Sequence, residues 1–176
     1  MHDEFARTVE ALRRCRSRED YLAAMAGSRI DTRDIAAFCA FGDEGYQRIR
    51  IDLAEGHELV AVCWRQGQHT PIHNHGRSQC CVRVLQGRLL EQRYVRGEVP
   101  GSALAIGEPQ YLSPRAETAF DSPDDFHRLA GVDPAGSISL HLYVPPLQDC
   151  EVLEPAGQGR ANHAPRPTAL TAPAVR

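Results

Sequence analysis

Residues 67–87 read "GQHTPIHNHGRSQCCVRVLQG", and the fold turns on how this stretch is read. It puts His73 and His75 one residue apart and ends in a run that alternates apolar and polar residues. On an extended segment, positions i and i+2 face the same side, so the two histidines project together. Two converging imidazoles must share a proton, bond to separate partners or bind a metal. Imidazole suits Fe, Zn, Cu and Ni. Taken alone, His-x-His is a weak pattern that also fits an exposed polar turn. The alternation in "CCVRVLQG" and the glycines at 67 and 87 mark turn, strand and turn.

Working outward, "YQRIRIDLA" shows the same alternation, and other strand-like runs follow. "YQRIRIDLA", "ELVAVCW", "RLLEQRYV", "PQYLS", "FHRLAGV" and "SISLHLYV" are short strand-like runs divided by turns such as "VRGEVPGS" and "VDPAGS". Many short strands without alternating helices predict a mainly β protein, an antiparallel barrel or jelly roll. Residues 1–42 differ. Phe5, Val9 and Leu12 recur at helical spacing, as do Tyr21, Leu22 and Met25. Ser17 with Asp20 forms a capping box opening a second helix, and Asp31 or Thr32 caps a third that carries Ile35 and Phe38. The division expected is a helical cover over 1–42, a barrel over 43–155 and a disordered tail rich in Ala, Pro and Gly over 156–176.

The bulk numbers exclude other classes. A chain of 176 residues, 42% hydrophobic and 24% charged, forms a single domain with a sizeable core. Its net charge of −3 gives no electrostatic case for nucleic acid or an anionic membrane. All 20 basic residues are arginines, and they are scattered. No apolar run spans a bilayer, and "MHDEFARTVEALRRCRSRED" lacks the apolar core of a secretion signal, which predicts a cytoplasmic protein. Its six cysteines are then reduced thiols. Cys15, Cys39 and Cys63 sit among apolar neighbours as small hydrophobes.

A third metal ligand must come from a later strand, and His127 and His141 are the candidates. His2 and His163 fall in tails, His57 in a loop, and the segment carrying His69 turns at Pro71. The spacing Gly67, His73, His75, Cys80, Gly87 resembles the first signature of the cupin family, whose jelly-roll barrel binds a metal inside. Where that signature usually has a glutamate ligand, this chain has Cys80. The second cupin motif matches His127, although Gly131 stands where an asparagine is usual. Together, "CWRQGQHTPIHNHGRSQC", "LQGRLLE", "HRLAG" and "SLHLYVPPLQDC" resemble the thiol dioxygenases, specifically the cysteine dioxygenase family. That likeness spans residues 46–150.

The resemblance implies a cupin jelly-roll β-barrel with an N-terminal helical cover. It implies that His73, His75 and His127 bind Fe(2+), leaving positions for a thiol amino acid and O2. A glutamate at position 80 would partly neutralise the metal, so its absence is informative. Cys80 and Tyr143 are implied to sit together and join as a thioether. Ser139, His141 and Tyr143 alternate along one strand and so share a face, where they can relay a proton, fix the phenol's orientation or simply fill the barrel interior; the resemblance favours the relay. "Tyr46-Gln47-Arg48" resembles the family's Tyr-x-Arg, which places Arg48, with Tyr46 beside it, on the substrate carboxylate; Arg50 faces the same way. Trp64 and Cys150 are read as pocket wall, Cys81 as packing, and Val144-Pro145-Pro146 as a segment with a cis peptide. The implied activity is oxidation of L-cysteine to 3-sulfino-L-alanine by a monomer. The alternatives are a 3-mercaptopropionate dioxygenase, a non-catalytic metal-binding cupin and a zinc cupin.

Overall fold

The structure, a computed structural model, describes residues 3–120 and 122–156. His2, His163 and all but the first residue of the tail expected over 156–176 lie outside that range. Two helices come first, α1 (Asp3–Arg14) and α2 (Arg18–Gly27). The capping box is present: the Asp20 amide donates to Ser17 Oγ at 3.2 Å, and the Ser17 amide to Asp20 Oδ2 at 2.9 Å. Arg83 closes the other end of α2. Its guanidinium donates to the carbonyls of Ser28 and Ala26 at 2.8 and 3.2 Å, meeting acceptors that the helix end leaves over. The expected third helix is a correction. Residues 36–38 form one 3-10 turn, and Ile35, with no side-chain oxygen, stands at its cap. The Asp31 carboxylate instead binds the amides of Arg33 and Asp34, which favours a turn over a helix.

Among the described residues ten strands follow: β1 (Gln47–Leu53), β2 (Glu58–Trp64), β3 (Ile72–His73), β4 (Gln79–Gln86), β5 (Leu89–Arg96), β6 (Ser102–Leu112), β7 (Glu117–Phe120), β8 (Phe126–Gly131), β9 (Ser137–Val144) and β10 (Val152–Pro155). One sheet runs β1-β2-β9-β4-β7. The other runs β10-β3-β8-β5-β6 and closes through a parallel pairing of β10 with β6. This is the jelly-roll barrel with a helical cover.

The alternation of side chains along β2, β4 and β9 builds two cores. Leu59, Ala61, Cys63, Cys81, Leu140 and Leu142 face the helices, where they pack on Leu12, Tyr21, Met25 and Ile35. Val60, Val62, Trp64, Cys80, Val82, Val84 and Tyr143 face the barrel interior with Leu89, Leu112 and Leu129 from the other sheet. A sheet covered on both faces is why β2 reads as a continuous rather than an alternating apolar run. Of the cysteines read as buried, Cys15 and Cys63 are buried and Cys39 is half-buried. His57 lies in the β1–β2 turn yet is fully buried, its Nε2 3.0 Å from Asp52 Oδ2, and Arg13 of α1 binds the same carboxylate. Among the described residues no helix is long and apolar enough to cross a membrane.

Candidate metal centre

The register of the closed sheet brings the histidines together. His73 ends the two-residue strand β3 and pairs directly with His127 of β8. His75 lies just past the end of β3, with its ring centroid 5.0 Å from both. One ligand atom from each of the three falls within 4.8 Å of the others, and among the described residues no Asp, Glu or Cys belongs to the cluster. His73 is half-buried at the edge of a cavity, whereas His75 and His127 are buried.

Burial is the largest cause of a low imidazole pKa throughout. It takes His73 to about 4, His75 to about 2 and His127 well below its ordinary value, with neighbouring positive charge adding to the effect in each. The rings are neutral at pH 7 and offer lone pairs, as a metal requires. Their tautomers follow from their partners. His73 Nδ1 lies 3.1 Å from the Pro71 carbonyl, and His127 Nδ1 lies 3.2 Å from Glu91 Oε1. Both oxygens only accept, so Nδ1 carries the proton and Nε2 is the donor atom left for a metal. Three neutral nitrogen donors so arranged fit a divalent transition metal.

Beside the cluster is a cavity of about 400 Å³ lined by His73, His141, Tyr143, Arg48, Tyr46 and Trp64, among others, with exposed Cys150 also on its wall. A hydrogen-bonded chain runs along its floor. Trp64 Nε1 donates to Ser139 Oγ at 3.0 Å, and Ser139 Oγ lies 3.0 Å from His141 Nε2. The indole only donates, so Ser139 Oγ accepts from it and keeps its own proton available for Nε2. With Ser139 donating to Nε2, the His141 proton sits on Nδ1, 3.4 Å from the Tyr143 oxygen. Burial takes His141 to about 3, so this neutral tautomer holds at pH 7, and burial raises the Tyr143 phenol.

Cys80 and Tyr143 sit opposite each other on β4 and β9, both buried. Burial raises the Cys80 thiol, and a hydrogen bond with Tyr143 opposes that rise. The two arginines on one face of β1 part company. Arg50 Nε is 2.9 Å from Glu58 Oε1, whereas Arg48 lines the cavity with its guanidinium 5.5 Å from the centre of the Tyr143 ring. Tyr46 stacks on Trp64 at 4.7 Å. The Val144-Pro145 peptide is cis.

The family model described as "Cysteine dioxygenase type I" matches residues 8–155. The chain belongs to that family. Human cysteine dioxygenase type 1 is 26% identical over 140 residues, covering 77% of this chain and 69% of the human one. The Danio rerio protein of the same name is 28% identical over 148 residues, with the same two shares. Two solved structures show the fold alone. A Klebsiella pneumoniae protein with a double-stranded β-helix domain is 17% identical, with a TM-score of 0.54 over 72% of this chain and 98% of its own. A Thermus thermophilus protein is 16% identical, with a TM-score of 0.53 over 66% and 99%. Membership of the cysteine dioxygenase family together with the three-histidine cluster supports a thiol dioxygenase that binds a metal.

Three features of this family member escape a reading of the sequence. Trp64 is a donor to Ser139 as well as a wall. Glu58 holds Arg50 and also accepts the Leu147 amide at 3.3 Å, tying down the loop after the cis peptide. Glu91 sits beside His127. The only sequence signal for Glu91 is an acid two positions after Leu89 on an inward-facing strand side. Gly131, at the place of the usual asparagine, has a packing reason: a Cβ there would meet Trp64 Cβ at 2.7 Å and the Arg65 carbonyl at 2.8 Å.

Proposed function

We propose that the chain is an iron-dependent cysteine dioxygenase, converting L-cysteine and dioxygen to 3-sulfino-L-alanine. One observation carries this reading: three neutral imidazoles, joined by no carboxylate among the described residues, beside a cavity walled by a guanidinium. His73, His75 and His127 would hold ferrous iron. Bound there, the iron favours the ionised substrate thiol and supplies the redox chemistry that joins dioxygen to sulfur. Both oxygen atoms enter the product, so no external reductant is consumed.

The remaining work falls to the chain's own side chains. Arg48 takes the substrate carboxylate through two parallel hydrogen bonds, which fix orientation as well as adding energy. Tyr46, held by stacking on Trp64, limits where that carboxylate lies. With His141 Nδ1–H aimed at its oxygen, Tyr143 keeps its own proton for the cavity, where the phenol donates to bound substrate or oxygen. The Ser139 hydroxyl keeps His141 in the tautomer this needs. A thioether between Cys80 sulfur and the Tyr143 ring carbon next to the hydroxyl would remove the thiol and ring hydrogens, with dioxygen as the oxidant. The linked chain would be lighter by two hydrogens, and its phenol would stay aimed at the cavity. One chain supplies every group named, consistent with a monomer.

The test loads purified chain with ferrous iron without air, then follows oxygen uptake and product by mass. Sulfinate formed one-for-one with oxygen consumed is the expected result. Oxygen uptake that is no faster with L-cysteine than without it overturns the reading. Faster turnover of 3-mercaptopropionate than of L-cysteine transfers the assignment to that thiol, and activity with zinc in place of iron points to other chemistry.

A further inference from the structure

We propose that Glu91 is the positioning residue for His127, an uncoordinated carboxylate that fixes the ring and raises its strength as a metal ligand. The inference rests on the three-histidine metal reading and deepens it. On β5, Leu89 and Glu91 face the barrel interior while Leu90 turns away. In the pairing with β8, Glu91 stands opposite Leu129 and Arg93 opposite His127. Glu91 and His127 are thus diagonal neighbours on one face, a separation that a long side chain spans. The Glu91 side chain crosses that gap and puts Oε1 3.2 Å from His127 Nδ1.

Glu91 is only 3% exposed. A carboxyl group in such a place costs stability unless its oxygens are hydrogen-bonded. Here they are: Thr118 Oγ1 lies 3.2 Å from Oε2 and 3.5 Å from Oε1. Arg93 Nη2 donates to the same hydroxyl at 3.0 Å. Arginine only donates, so the Thr118 hydroxyl accepts from Arg93 and turns its proton to Glu91. Donors therefore converge on Glu91 from two sides, the Thr118 hydroxyl backed by Arg93 on one and the Nδ1–H of His127 on the other. These groups come from three strands, β5, β7 and β8.

An acid that served only to brace these strands would have no need to reach a histidine ring. The contact with Nδ1 gives the ring one tautomer and one orientation and makes Nε2 a better electron donor. It also resolves an imbalance in the donor set. Three neutral imidazoles bring no negative charge to a dication in a buried place, and Glu91 supplies one without occupying a coordination position. The open positions that the substrate and oxygen need are kept.

The test measures metal binding rather than turnover. Co(II) is titrated into apo chain against a chromogenic chelator, and the visible Co(II) spectrum is recorded. E91Q keeps the size and an acceptor oxygen but removes the charge. It is expected to weaken Co(II) binding roughly 10- to 100-fold, the usual cost of losing an outer partner of a ligating histidine. Its Co(II) absorption bands shift as well. T118V leaves the acid in place and loosens its aim, so it shifts both readouts the same way by less. It carries the test alone if E91Q does not fold. Equal Co(II) affinity and an unchanged spectrum in the folded variants overturn the role of Glu91 and leave the metal site standing. A wild-type chain that binds no Co(II) and no Fe(II) overturns the metal reading itself.

Discussion

Arg48 and Arg50 carry the same charge on the same face of one strand, and what each can bind separates them. Arg50 is engaged by buried Glu58, while Arg48 is turned into the cavity. Arg48→Gln is expected to raise KM for L-cysteine about 10- to 100-fold, since hydrogen bonds to a charged group contribute about 1.5–3 kcal/mol. Arg50→Gln leaves KM near its original value and lowers Tm, because Glu58 loses its partner in a buried place. Steady-state kinetics and thermal unfolding of the two variants check both statements. Trp64→Phe is the complementary change. It keeps an aromatic face for Tyr46 but deletes the donor that orients Ser139. The hydroxyl is then free to turn from His141, so kcat falls severalfold while KM stays within about twofold, the pattern of a lost transition-state interaction. The types of side chain needed for this chemistry are legible in the sequence as histidines, arginines and a tyrosine. Their wiring is not, because it depends on which oxygen accepts and which nitrogen donates. Glu91 is the clearest case: an acid in an amphipathic strand reads as a solvent-facing residue until the register shows it beside His127.

At the scale of elements, long and well-covered strands are the ones the sequence reveals. β2, β4 and β9 are seven or eight residues each and their apolar faces are complete. The short elements β3, β7 and β10, two to four residues each, have too few side chains for a period to register. Only the second half of β6 reads as a strand, and the reason lies within it. The register jumps from Arg93↔Ile106 to Glu91↔Gln110, so Gly107–Pro109 bulge out and break the alternation. Gly107 has φ +64°, which suits glycine, and Pro109 is tolerated where the ladder is already interrupted. Gly131 belongs at this scale too, because it sets how closely β8 approaches the end of β2. Gly131→Ala is expected to destabilise the fold by about 1–3 kcal/mol, as overpacking against backbone does. The neighbouring atoms are Trp64 Cβ and a carbonyl oxygen, neither of which swings away. The shift would reach Trp64 and through it Ser139, so turnover drops along with Tm. A Tm unchanged by the substitution would count against this packing.

For the molecule as a whole, the barrel holds a group of neutral histidines dry, and that has a measurable cost in acid. Burial lowers His73 from 6.5 to about 4, His141 to about 3 and His75 to about 2. In the unfolded chain the same side chains take up protons as pH falls below about 6.5. The folded apo chain does not, so the unfolded state binds more protons and gains stability as pH drops. The contribution of these histidines to folding is therefore complete above pH 6.5 and is lost as pH falls toward their folded values. Each contributes at most about 1.4 kcal/mol per pH unit in that window. Carboxyls lowered by their partners, such as Asp31 at about 2 and Glu151, act in the same direction, but only below their unfolded pKa near 4. Glu91, raised chiefly by burial, acts in the opposite direction. Between pH 6.5 and 5 the histidines dominate. Urea unfolding of apo chain should give one stability at pH 8 and 7 and a steady fall from 6.5 to 5. His73→Gln and His141→Gln should each reduce that slope. Saturating Co(II) raises stability at pH 7, by about 2.7 kcal/mol at a hundred times Kd, because only the folded barrel presents all three rings at once. Protonation in the unfolded chain competes with that gain, so the chain unfolds over a steeper pH range with metal than without. An apo chain equally stable at pH 7 and pH 5 would mean that the histidines are open to water, and the dry, lone-pair-bearing cluster on which the metal site depends would not exist.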